Sequence, residues 1–174
     1  MANCSNAYGE ITLWVKGKDD NDKTRLVSNF KKLIDGVLLN CGYYTEIAGF
    51  SIGKEENEVM GVGDFYGCGR WSYEANCRYF YDWLKQGVES EKPELKPLWE
   101  ELNKHEWRVI FSFSDEEGGC EVLYEMVNEV WHKAGEDKAE YKIISENDYD
   151  YTAENLVRLG VYDCIEDARE VFGN

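Results

Sequence analysis

The sequence predicts an α+β protein built on a ferredoxin-like split βαβ antiparallel sheet, with helices on one face and a C-terminal helical extension. Three observations predict it. Apolar residues recur first with a strand period and then with a helix period, in the order β-α-β-β-α-β. Clusters of glycine, asparagine and acidic residues punctuate those segments. The chain has 174 residues and its two prolines, Pro93 and Pro97, fall close together, which suits one domain with its own hydrophobic core. The expected division is a ferredoxin-like core over residues 8–145 and an acidic helical extension over 146–174.

Ile11, Leu13 and Val15 alternate with Thr12, Trp14 and Lys16, the pattern of a half-buried strand that stops at Gly17. Leu26, Phe30, Leu33, Ile34, Val37 and Leu38 then recur at helical spacing. Asp22 or Thr24 is the candidate N-cap, and Asn40 or Gly42 the stop. Residues 44–52 and 58–65 are rich in β-branched and aromatic side chains around the polar turn K-E-E-N, so a hairpin is expected. A second helix should run over 73–87, with Ala75, Tyr79, Phe80, Trp83 and Leu84 on one side. The prolines disfavour helix just before them and mark a joint, after which 95–104 reads as a shorter helix carrying Leu98, Trp99 and Leu102.

In the second half, Trp107, Val109, Phe111 and Phe113 alternate with Arg108, Ile110, Ser112 and Ser114, the clearest strand of the chain. D-E-E-G-G at 115–119 reads as a solvated turn. The next segment fits two periods. Cys120, Val122, Tyr124 and Met126 alternate as a strand, whereas Leu123, Val127, Val130 and Trp131 fit a helix, and a strand turning helical near its end is expected. A short strand over 141–145 and two small helices over 152–159 and 164–172 complete the chain, with Thr152 at a helix start and Gly160 at its stop.

Charge divides the chain. Residues 1–87 carry 12 acidic and 10 basic side chains, and residues 88–174 carry 23 and 9, within a total net charge of −16. A field of that sign repels nucleic acid, anionic membranes and phosphorylated metabolites and attracts basic protein surfaces. Direct nucleic-acid binding is therefore not expected, the small basic cluster Arg25, Lys31 and Lys32 notwithstanding. The six cysteines show no C-x-x-C spacing. The start, MANCSNAYGEI, lacks the basic and apolar regions of a signal peptide, and no apolar run has the length of a membrane span. Reduced thiols in a cytoplasmic setting are the expectation.

No catalytic constellation stands out: G-x-S-x-G, Walker, H-E-x-x-H and Rossmann patterns are absent. Gly61, Gly63, Gly67 and Gly69 superficially suggest a phosphate loop, but the residues between them suit a strand edge or bulge better. The E-N-D-Y-D-Y run lacks the glycine and terminal glutamate of a calcium loop. His132, beside Trp131, reads as a surface or capping residue. No cofactor, metal ligand set or catalytic residue is expected. Trp14, Tyr43, Tyr44, Tyr66, Tyr149 and Tyr151 fall at outward or loop positions, and exposed aromatics among carboxylates suit a protein interface.

The segments G-R-W-S-Y-E-A-N at 69–76, L-W-E-E-L at 98–102 and W-R-V-I-F-S-F-S-D-E-E-G-G at 107–119 resemble the YubB-like ferredoxin-like domains found on plasmids and phages. Trp71 with Ser72 matches the family's tryptophan–serine pair before the second helix, and 113–119 matches its strand running into an acidic turn. The family's proline pair after the serine is absent here. The resemblance spans about residues 60–130; it implies a fold and a mobile-element origin, and supplies no catalytic residue.

These readings converge on an acidic phage or mobile-element inhibitor that occupies a basic nucleic-acid groove of a host defence nuclease, a CRISPR effector or a restriction enzyme, by mimicking nucleic acid. The residues expected to meet the partner are Asp115, Glu116, Glu117, Glu121, Glu146, Asp148 and Asp150, with Tyr149 and Tyr151. The alternative is a non-catalytic binding or dimerisation module with an acidic docking face. A third possibility is an enzyme with a carboxylate-bound metal. Oligomeric state is left open.

Overall fold

The computed structural model describes residues 4–37, 44–55, 58–70, 72–117, 120–170 and 172, with the backbone alone at 4, 44–49, 54, 55, 58, 69 and 70. Trp71, Leu38, Asn40, Cys41, Gly42, Tyr43, Gly118, Gly119 and the Glu56–Asn57 half of the K-E-E-N turn lie outside the described residues, as does the side chain of Tyr44.

The elements in chain order are β1 (Cys4–Val15), α1 (Asp20–Val37), β2 (Tyr44–Glu55), β3 (Glu58–Arg70), α2 (Tyr73–Arg78), α3 (Phe80–Ser90), a 3-10 turn (Pro93–Leu95), α4 (Lys96–Leu102), β4 (Trp107–Glu117), β5 (Val122–His132), β6 (Ala139–Tyr149), α5 (Ala153–Arg158) and α6 (Ile165–Glu170). The strands form one six-stranded sheet in the order β2-β3-β1-β4-β5-β6, each antiparallel to its neighbours. It is a mixed α+β architecture whose six-stranded sheet is larger than that of the expected ferredoxin-like arrangement.

Side chains alternate across a pleated sheet, so register fixes two faces. Ile11, Leu13 and Val15 pair with Phe111, Val109 and Trp107, and all six are buried in the main core. α1 covers this face with Leu26, Val27, Phe30, Leu33, Ile34 and Val37, a stripe of helical period. Its start lies earlier than expected: the Asp22 backbone N–H donates to the Asp19 carboxylate at 2.9 Å, so Asp19 caps the helix and Asp22 lies in its first turn. The expected 73–87 helix is two, because Tyr79, at φ −97° and ψ 12°, ends α2 before α3 begins. Close packing here depends on glycine. A Cβ on Gly87 would lie 2.2 Å from Val37 Cγ1, so the residue lets α3 approach α1, and a Cβ on Gly67 would lie 2.1 Å from the Tyr73 ring. The glycines of β3 thus sit in an interior strand, between β2 and β1, where an edge was expected.

Three strands are longer than their apolar patterns suggest, each for a physical reason. β1 begins at Cys4, because its first inward positions carry Ser5, Ala7 and Gly9, too small to register as apolar alternation. β4 continues through Asp115, Glu116 and Glu117, which replaces the expected solvated turn. β6 runs through Tyr149, so the expected boundary of the helical extension at 146 cuts a strand. β5 is strand throughout, with no helical end. Its double signal arises because it is covered on both faces: Tyr124, Met126 and Val130 enter the main core, while Leu123 enters a second cluster.

That second cluster also contains Ala153, Leu156 and Ala168 of α5 and α6. Leu123 faces away from Tyr124, so the helices of the C-terminal extension pack on the sheet face opposite α1–α4. Thr152 caps α5 as expected, accepting from the Asn155 backbone N–H at 3.2 Å.

Candidate binding surface

β6 ends the sheet and has a neighbour on one side only, β5. Residues 142–148 are all exposed, Ile143 and Ile144 among them at 39% and 50%. The register shifts here: Ser145 pairs with Val127 and Ile143 with Asn128, leaving Ile144 as the extra residue of a bulge. Glu146 and Asp148 stand on the strand, and Asp150 follows it; all three are exposed. Glu154, Asp163, Glu166, Asp167 and Glu170 are exposed as well, on and beside α5 and α6, the helices of the opposite sheet face.

Several carboxylates elsewhere hold a cation. Asp22 and Glu101 share Arg25 at 2.7 and 3.2 Å, Asp35 meets Lys31 at 2.6 Å, Glu74 meets Arg78 at 2.8 Å, and Asp137 meets Lys85 at 2.7 Å. On β6, Glu140 meets Lys133 at 2.6 Å. Among the described residues, no cation forms an ion pair with Glu146, Asp148 or Asp150. The nearby Arg158 lies instead over the Tyr149 ring, 4.4 Å from its centroid.

The other expected contact residues are placed differently. Asp115 is 0% exposed, and Glu116 and Glu117 are buried. The Asp115 carboxylate accepts from the Ser5 and Tyr124 hydroxyls and, at 2.8 Å, from the backbone N–H of Tyr73. It therefore anchors the first turn of α2 to β4 and β1. Burial pushes its pKa above the ordinary 3.8, while these three donors pull the other way. Glu116 faces the opposite side, where it accepts from the Tyr151 hydroxyl and from Asn6 Nδ2 at 3.3 Å. Glu121 alone of the first group is exposed; it lies between β4 and β5 with φ 54°.

Tyr149 and Tyr151 are half-buried, their hydroxyls donating to Glu125 and Glu116. Both rings pack against the second cluster, so they serve the attachment of α5 and α6. Beside them, on the same face, lies a groove of about 380 Å³ bordered by Tyr8, Ser112, Ser114, Glu125, Ser145 and Asn147. Tyr8 and Tyr66 pack together there at 4.9 Å, and Trp14 lies under Arg108 at 4.8 Å.

His132 is also placed against expectation. It is fully buried, its ring near-parallel to those of Tyr81 and Trp107 at centroid distances of 5.6 and 5.1 Å, and its ring nitrogens lie against the carbonyl oxygens of His105 and Glu136 at 3.2 and 2.8 Å. This is a core position holding the β5–β6 connection. Cys77 is buried, and desolvation pushes its thiol well above the ordinary range, so it is inert packing rather than a nucleophile. Among the described residues, no three His, Cys, Asp or Glu side chains gather as a metal site, and no helix is long and apolar enough to cross a membrane.

The sequence reading misses the exposed edge of β6 and the Asp115 anchor. The first had a signal, since Tyr141 and Ile143 alternate with Glu140 and Lys142. The second had none, because Ser5 lies 110 residues from Asp115. The class these observations define is an α+β protein with a six-stranded antiparallel sheet and an acidic open edge. No family model matches the chain, and searches of curated proteins and of solved structures return no match.

Proposed function

We propose that this chain is a non-catalytic binding module that docks a basic protein surface through its acidic edge. One observation carries the reading: Glu146, Asp148 and Asp150 are exposed together, at alternate positions, and lack cationic partners among the described residues. Unpaired carboxylates on a chain of net charge −16 raise self-repulsion, and a basic partner relieves it. The particular form we favour is an inhibitor that imitates nucleic acid in a groove of a CRISPR effector or restriction nuclease in the cytoplasm of a host. The exposed carboxylates at alternate positions over residues 146–150 support that role, and Glu121 and α6 add further exposed acidic groups. Asp115, Glu116 and Glu117 are spent inside the fold and are dropped from the proposed contact set.

The split βαβ plan belongs to the same proposal. β3 lies between β1 and β2, and β1 lies between β3 and β4, so both β-α-β connections straddle one intervening strand, while β5 and β6 extend the sheet. This supports the ferredoxin-like reading of the first four strands, and the short likeness to YubB-like domains supports a mobile-element setting.

The test is a salt-stepped pull-down comparing the native chain with Glu146→Lys/Asp148→Lys/Asp150→Lys, followed by nuclease-inhibition assays on what is captured. The native chain should hold its partner at low salt and release it near 1 M, where screening reaches about 3 Å. The triple variant should fail at low salt. Equal capture by both chains would overturn the docking reading, and capture without inhibition would overturn the inhibitor form.

A further inference from the structure

We infer that β6 takes up an extended basic segment of the partner as a seventh strand, so that docking proceeds by strand addition at the sheet edge. The inference rests on the docking reading above and specifies its geometry.

An edge strand presents a row of backbone donors and acceptors that another strand can satisfy. β6 has 11 residues, twice the length of a common strand, and its outer side is unpaired in the sheet. Edges this long usually need protection from self-association. Here the protection is selective. Two copies meeting edge to edge would bring Glu146 and Asp148 of each chain into one ladder, between bodies each of net charge −16. The bulge at Ile144 further disturbs a self-paired register. Neither device opposes a strand of the other sign. Lysine or arginine at alternate positions would lie beside Glu146 and Asp148 on one face, since opposite charges across strands attract. An apolar residue further along that same face would cover the exposed Ile143. Main-chain pairing supplies affinity and the carboxylates supply selection, so the occupant is a basic strand and not a second copy of this chain.

The experiment uses the whole chain and two synthetic probes: a ten-residue peptide of alternating lysine and valine, and the same peptide N-methylated along one edge, which keeps charge but blocks pairing. Binding is read by fluorescence anisotropy and by hydrogen exchange of the chain. The plain peptide should bind, the methylated one at least tenfold more weakly, and the amides of 139–149 should gain protection. Glu146→Lys/Asp148→Lys should weaken the plain peptide at least tenfold; both side chains are exposed, so the fold stands. Equal binding of the two peptides, or protection away from β6, overturns strand addition. If Glu166→Lys/Asp167→Lys/Glu170→Lys abolishes binding while the β6 variant does not, strand addition fails and the docking reading survives on α6. If neither peptide binds, strand addition is again overturned, and the docking reading is then decided by the salt-stepped pull-down.

Discussion

Asp115 shows how a residue expected at the surface is recruited to hold the interior. Three donors converge on its buried carboxylate, from Ser5, Tyr124 and the Tyr73 backbone. Asp115→Ala leaves all three without an acceptor and should cost about 3–5 kcal/mol, measurable by chemical denaturation. Asp115→Asn keeps one acceptor and should cost less. The pH dependence follows from the raised pKa. The folded chain holds the proton more tightly than the unfolded chain, so this contribution is greatest below 3.8 and is lost as pH rises through the higher folded value. The stability difference between the native chain and Asp115→Asn should therefore shift against the native chain between about pH 4 and neutrality; a constant difference would contradict it. Glu121 offers a second residue-scale prediction. Its φ of 54° suits glycine, so Glu121→Gly should hold or raise stability by up to about 1 kcal/mol, whereas Glu121→Val should lower it.

At the scale of elements, the second cluster makes a local prediction. Leu156 is fully buried beside Leu123 on the face opposite the main core. Leu156→Ala should cost about 2–3 kcal/mol. Much of that loss should appear as undocking of α5 and α6, with faster hydrogen exchange over 153–170 and unchanged protection in β1. A uniform loss across the sheet would show that the helices are integral to it. Legibility in the sequence follows the same division. α1 and the start of β4 are plain because each buries one side, so the pattern carries one period. β5 is ambiguous because Leu123 and Tyr124 are buried on opposite faces. β6 is underestimated because the alternation of Tyr141 and Ile143 stops at Ile144, beyond which Ser145, Glu146, Asn147 and Asp148 are polar and exposed on both faces. Of the expected contact residues, Glu146, Asp148, Asp150 and Glu121 are exposed; the inward placement of Asp115 and Glu116 depends on Ser5, Asn6, Tyr73, Tyr124 and Tyr151, contacts that lie far off in the chain or across the fold.

For the molecule as a whole, the charge of −16 is a standing load on the compact state. Added salt should raise the melting temperature by screening it. The triple reversal at Glu146, Asp148 and Asp150 should raise it as well, even as it abolishes docking, because among the described residues the replaced groups have no cation to lose. A lower melting temperature in that variant would assign the three carboxylates to stability instead. The position of β1 has a further consequence, for how the chain comes off the ribosome. The first of the six strands to be made is an interior one, and its two neighbours are β3 and β4. A growing chain that has not yet emerged past Glu117 holds β1 with one flank bare. That flank closes only after the whole segment from Lys16 to Glu117 has been made, and until then the nascent sheet keeps an open edge at its centre.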